Sequence, residues 1–290
     1  MIPKHAYFFW SSGVPMSPLR FLTLASFRRL HPDWKITLAI SHQGQWQPWQ
    51  TRERQDWMST VETFCDWPKY CKDYGVELCT APPDETLGIA PNHVSDMVRW
   101  DLLRAGGWYF DMDIMFVRPL DNWLLGSDFV VGCFVAGNKQ SDYVPCMPWS
   151  TEVLSYVGVI GAESRSPYVA IIRDEVRRRY CPSHYDCIGP EILRVLGDKL
   201  SDTTRRTGSK IQFPHHDYFY PVWRSDDVGQ IWSGEFQPSD DTIGIHWYGG
   251  HPKTQEYMAG YRDMATAPDS ISRLARELGI DIGGYLCSAS

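Results

Sequence analysis

The sequence predicts an α/β protein with a mainly parallel central sheet flanked by helices, and three observations lead there. Short apolar runs rich in aromatic and β-branched residues alternate with amphipathic stretches along the N-terminal part of the 290 residues. That strand-helix-strand order puts helices on the faces of a parallel sheet. The composition, 43% hydrophobic and 22% charged, is that of an ordinary globular chain able to bury a substantial core. No internal repeat or low-complexity tract interrupts it, so one domain over 1–290 is expected.

Residues 6–10, AYFFW, read as the first strand. Residues 19–30 form a helical stretch with its arginines expected outside, and 35–40 a second strand. Residues 43–74 are rich in Trp and Gln and lack sheet periodicity, which marks an insertion partly helical in character. A third strand is expected over 76–80. Next comes a helix with Asn92 as N-cap, an apolar stripe of Val94, Val98, Leu102 and Ala105, and Gly106 with Gly107 at its end. Ser166 and Pro167 start a later helix whose last turn holds the basic run 177–179, where cations complement the helix dipole. A short helix with Ile271, Leu274 and Leu278 on one face precedes a small polar tail.

The chemistry concentrates in 95–121, SDMVRWDLLRAGGWYFDMDIMFVRPLD. In an extended strand residues i and i+2 share a face, so Asp111 and Asp113 are expected side by side, with Phe110, Met112 and Ile114 turned away. Two hard oxygen donors suit Mg²⁺ or Mn²⁺, whose remaining positions go to water and phosphate oxygens. The same spacing occurs at solvated strand ends and loop caps. On the preceding helix Asp96 and Arg99 share another face, where they either pair with each other or both reach a polyhydroxylated ligand, Arg99 adding charge toward a phosphate.

The formal charge of -7 argues against a general polyanion binder, because nonspecific nucleic-acid affinity comes from Lys and Arg. No run of about 18 apolar residues and no basic-then-apolar leader is visible, so a cytoplasmic protein without a membrane span, peripheral to a membrane at most, is expected. Eight cysteines match no common zinc spacing; Cys65 with Cys71 and Cys181 with Cys187 could close small loops, but without a leader they read as reduced.

The segment around Asp111 and Asp113 resembles the glycosyltransferases with a DXD-containing sugar-binding region, which include Och1-like mannosyltransferases and capsule or lipopolysaccharide sugar transferases, and more distantly the clostridial glucosylating toxins. The resemblance extends along the chain. IPKHAYFFW at 2–10 is similar to the family's opening strand, and LHPDWKITL at 30–38 to its turn into the second strand. GVIGAESRSPYVAIIRDEV at 158–176, IGPEILRVL at 188–196 and IGIHWYGG at 243–250 follow in the family's order.

This resemblance implies a GT-A-like fold and a metal-dependent, retaining transfer of a hexose from a nucleotide-diphosphate sugar, UDP-linked by expectation, to a glycan or lipid-linked saccharide. It implies Asp113 as a direct metal ligand. Asp111 either serves ribose and sugar hydroxyls or binds the ion through water, and His246 is a further ligand or else a core histidine. Trp10 resembles the tryptophan that stacks on the base, its other reading being core packing. Ser95 would contact ribose or phosphate, and Asp96 with Arg99 the donor sugar. Gly189 and Pro190 open a helix whose free N–H groups could face an anion or hydroxyl; Ile188 stands where the family usually has Thr. Trp46, Trp49, Trp57 and Trp67 either stack on acceptor sugars or anchor packing. Two other readings share the residues: the same donor chemistry on a protein or nucleic-acid base, and a noncatalytic glycan- or nucleotide-binding protein.

Overall fold

The computed structural model describes residues 1–11, 15–41, 63–81, 89, 91–135, 153–184, 187–222, 227–259 and 263–288. Its strands are β1 (His5–Ser11), β2 (Lys35–Ser41), β3 (Thr63–Cys65), β4 (Glu77–Thr80), β5 (Gly107–Phe110), β6 (Ile114–Phe116), β7 (Phe129–Val135), β8 (Val153–Ala162), β9 (Ile211–Gln212), β10 (Gly244–His246) and β11 (Leu286–Ser288). Its α-helices are α1 (Pro18–Leu30), α2 (Trp67–Asp73), α3 (Pro91–Leu102), α4 (Asn122–Leu125), α5 (Pro167–Arg179), α6 (Pro190–Val195), α7 (Gly197–Thr207), α8 (Gly229–Ser233), α9 (Pro252–Ala259) and α10 (Ser270–Glu277).

The central sheet has the order β4-β2-β1-β5-β8-β7-β9. β1 pairs in parallel with β2 and β5, β2 with β4, and β7 with β9, while β8 runs antiparallel to β5 and β7. One reversed strand in an otherwise parallel sheet matches the expected class. Alternation along the strands feeds two cores. Ala6, Phe8 and Trp10 join Ile36, Leu38, Phe110, α1 and α10 on one face. Tyr7, Phe9 and Tyr109 join α3, α5 and α6 on the other. With both faces covered, the strands read as continuous apolar runs.

Helix α1 is capped by the Ser17 side chain, which accepts from the Arg20 N–H. It also grips the segment beyond β5 at two points. The buried Ser26 hydroxyl accepts from Phe116 N–H at 3.0 Å, and His31 Nε2 accepts from Leu120 N–H at 2.9 Å. His31 Nδ1 lies 3.1 Å from the Phe27 carbonyl, so the tautomer is set: Nδ1 donates and Nε2 accepts.

Several boundaries differ from those expected. Pro91, whose fixed φ suits a first helical position, starts α3, so Asn92 lies inside the helix and is not its N-cap. The described part of the Trp-rich segment is core structure: α2 buries Tyr70 and Cys71, and Trp67 packs against the same cluster. The tail is a strand, for β11 pairs antiparallel with β3. Trp46, Trp49 and Trp57 lie outside the described residues. Arg177, Arg178 and Arg179 do fall in the last turn of α5. The seven described cysteines are free thiols. Among the described residues no helix is long and apolar enough to cross a membrane.

Candidate active site

The carboxyl ends of β1, β2, β4 and β5 share one edge, the edge at which such sheets bind ligands. β5 delivers Asp111 as the first residue beyond that edge. Phe110 is the last ladder residue, opposite Val159, and Asp111 N–H donates to the Gly158 carbonyl at 2.9 Å. The chain then turns through Met112 and Asp113 into β6. The two acids therefore occupy a turn and not an extended strand. The turn arises because β6 leaves the main sheet to pair with β10, and the Asp113 carbonyl accepts from Trp247 N–H at 2.9 Å.

That small antiparallel ladder sets His246 opposite Ile114. Its Nε2 lies 3.1 Å from Asp113 Oδ1. Gly249 N–H donates to Asp113 Oδ2 at 2.9 Å, across 136 positions of sequence, and Arg20 Nη1 lies 3.6 Å from the same oxygen. Burial opposes ionisation of Asp113, but His246, Arg20 and the Gly249 N–H outweigh it and hold the carboxyl well below the usual carboxylate range. One carboxylate oxygen each from Asp111 and Asp113 and one ring nitrogen of His246 lie within 4.8 Å of one another. The His246 and Asp113 side chains are 12% and 13% exposed, screened from bulk water but not sealed. Two hard carboxylates and an imidazole gathered in advance fit a divalent ion such as Mn²⁺ or Mg²⁺.

Arg99, 3% exposed, organises the other side. Its Nη2 lies 2.6 Å from Asp96 Oδ1 and 3.4 Å from Asp111 Oδ1. It donates to the Val157 carbonyl and to the Ser95 carbonyl and hydroxyl, and its guanidinium lies 4.6 Å from the Tyr109 ring centroid. Ser95 Oγ is also 2.6 Å from the Tyr109 hydroxyl. Asp96 and Arg99 thus pair with each other, and Asp111 joins them.

Trp10 is 8% exposed within the α1-side core, and the Arg20 guanidinium lies 6.0 Å from its ring. Gly189 and Pro190 begin α6, which packs on β8. Burial raises the Cys187 thiol just before α6.

Three features were not read from the sequence. Arg20, expected on the outside of α1, points into the site and stacks 4.9 Å from the Trp247 ring centroid. Gly249 admits it, since a Cβ there would collide with the guanidinium. Gly158 makes room for Asp111, because a Cβ there would stand 2.6 Å from Asp111 Oδ2. Spacing carries no signal for any of these, since each depends on a neighbour distant in sequence.

A mostly parallel α/β sheet with an Asp-x-Asp turn at its carboxyl edge, preceded by a helix bearing Asp96 and Arg99, is the arrangement expected of a glycosyltransferase sugar-binding region. Residues 21–130 match the family described as glycosyltransferase sugar-binding region containing DXD motif, a span that includes Asp96, Arg99, Asp111 and Asp113. No curated protein matches the sequence. Among solved structures, the chain is similar to the PaToxG glycosyltransferase at 11% identity and a TM-score of 0.43, over 89% of this chain and 87% of that one. It is similar to the galactosyltransferase LgtC in complex with donor and acceptor sugar analogs at 12% identity and a TM-score of 0.45, over 95% of each. For the glycosyltransferase GlyE of Streptococcus pneumoniae TIGR4 the values are 12% and 0.43, over 94% of this chain and 63% of that one. At such TM-scores nothing particular to those proteins transfers to this chain.

Proposed function

We propose that residues 1–290 act as one catalytic domain that moves a hexose, with retention, from a UDP-linked sugar to a saccharide acceptor, and that the transfer requires Mn²⁺ or Mg²⁺. The observation that carries this reading is the convergence of Asp111, Asp113 and His246 within 4.8 Å at the carboxyl edge of the sheet. Those three residues would hold the ion, which when bound supplies positive charge toward the departing diphosphate. Asp113 is kept ionised by Arg20 and Gly249. Arg99 acts through Asp111 and Asp96, fixing both carboxylates against Ser95 and the Val157 carbonyl. Ser95, Asp96, Trp10 and the Gly189-Pro190 helix start line the donor side, with Trp10 toward the base. Retention is read as same-face attack without a protein nucleophile.

The experiment is binding and hydrolysis across a panel of nucleotide sugars, with Mn²⁺ and with EDTA, for the parent and Asp113→Asn. Metal-dependent choice of one donor, lost in the variant, is expected. Absence of binding to every donor would overturn the reading.

A further inference from the structure

Tyr220 is 2% exposed, and its hydroxyl has no hydrogen-bond partner among the described residues. A buried donor left unpaired is costly, so a group able to accept from it would be stabilising. Its surroundings are specific. The ring packs 5.0 Å from His246 and 4.5 Å from Tyr156. The hydroxyl end faces two glycines: a Cβ on Gly132 would stand 3.4 Å from the oxygen, and one on Gly158 would stand 3.0 Å from it and 2.6 Å from Asp111 Oδ2. The phenol oxygen and that carboxylate oxygen thus both lie against Gly158, while Asp111 Oδ1 faces Arg99.

Tyr248 adds an independent observation. It is held at φ 52°, a conformation disfavoured for a bulky residue, with its ring edge-on to His246 at 4.5 Å and its buried hydroxyl also unpartnered.

We infer that Tyr220, with Tyr248, forms the sugar-recognising wall of the donor site, where a hydroxyl of the transferred sugar accepts from the Tyr220 phenol and donates to Asp111. The inference rests on the function proposed above. A sugar hydroxyl both donates and accepts, so one group satisfies an acceptor-only carboxylate and a phenol donor together. A tyrosine phenol is neutral at physiological pH and so can donate.

The test compares Tyr220→Phe and Tyr248→Phe with the parent for binding of UDP, UDP-glucose, UDP-galactose and UDP-N-acetylglucosamine in Mn²⁺, with thermal midpoints alongside. The expected result is unchanged UDP affinity, an unchanged or higher midpoint for Tyr220→Phe, and about a tenfold loss in the affinity added by the sugar. Equal losses for UDP and UDP-sugars, or an unaltered sugar increment in both variants, would overturn the inference while leaving the function intact. A parent that binds neither UDP nor any UDP-sugar would overturn the proposed function, and this inference with it.

Discussion

Two side chains show how closely the site is fitted around its acids. Arg99 satisfies Asp96, Asp111, the Val157 carbonyl and Ser95 together while 3% exposed. Arg99→Met leaves those carboxylates without their cation, and urea unfolding is expected to show a loss of about 3–5 kcal/mol. Lysine, with a single ammonium in place of a planar fork, is expected to restore only part of it. Gly158→Ala forces Asp111 aside, since the new Cβ would overlap its carboxylate. Donor hydrolysis is expected to fall about 100-fold, while circular dichroism shows a folded protein destabilised by about 1–3 kcal/mol. Activity kept in Gly158→Ala would show that the Asp111 position tolerates movement.

Helix α1 reaches the segment that carries the acids through Arg20 at Asp113, Ser26 at Phe116 and His31 at Leu120. The His31 contact makes stability depend on pH. Burial, aided by Lys4 and opposed by the Phe27 carbonyl and Asp33, pushes His31 down to about 4. Its unfolded value is about 6.5. Below that value the unfolded chain takes up a proton that the folded chain refuses, so stability falls as pH drops from about 6.5 to about 4 and is fully present above about 6.5. The loss amounts to about 3 kcal/mol. Unfolding free energies at pH 7 and about pH 4.5 should show most of this difference in the parent and a smaller one in His31→Gln. A parent whose stability is flat across that window would contradict a His31 held neutral by burial.

For the molecule as a whole, metal and fold should be linked. An ion held between the β5-β6 turn and β10 ties two parts of the chain that are remote in sequence. Anything that binds the folded state alone stabilises it by mass action, about 2.7 kcal/mol at a hundredfold excess over the dissociation constant. Mn²⁺ is therefore expected to raise the thermal midpoint of the parent, EDTA to reverse the rise, and Asp113→Asn or His246→Ala to abolish it. Scanning calorimetry separates these outcomes from a nonspecific salt effect, for which Ca²⁺ and Mn²⁺ would act alike in parent and variants.

His246 entered only through the family resemblance, whereas the sequence itself carried the strand-helix alternation, the two-faced burial of β1, β2 and β5, the helix before the acids and the candidate donors Asp111 and Asp113. These are local patterns, written by periodicity and by residue type. It misplaced the start of α3, the outward direction of Arg20, the extended geometry of the Asp-x-Asp and the polar tail that pairs as β11. Tertiary structure alone decided that His246 meets Asp113, that Gly158 and Gly249 clear space for Asp111 and Arg20, and that two phenols face His246 without partners. The physical reason is common to all three. Apart from Tyr248 beside His246, each is a contact between side chains or glycines far apart in sequence, set by the pairing of β6 with β10 and by the reversal of β8, and no local period encodes a pairing partner.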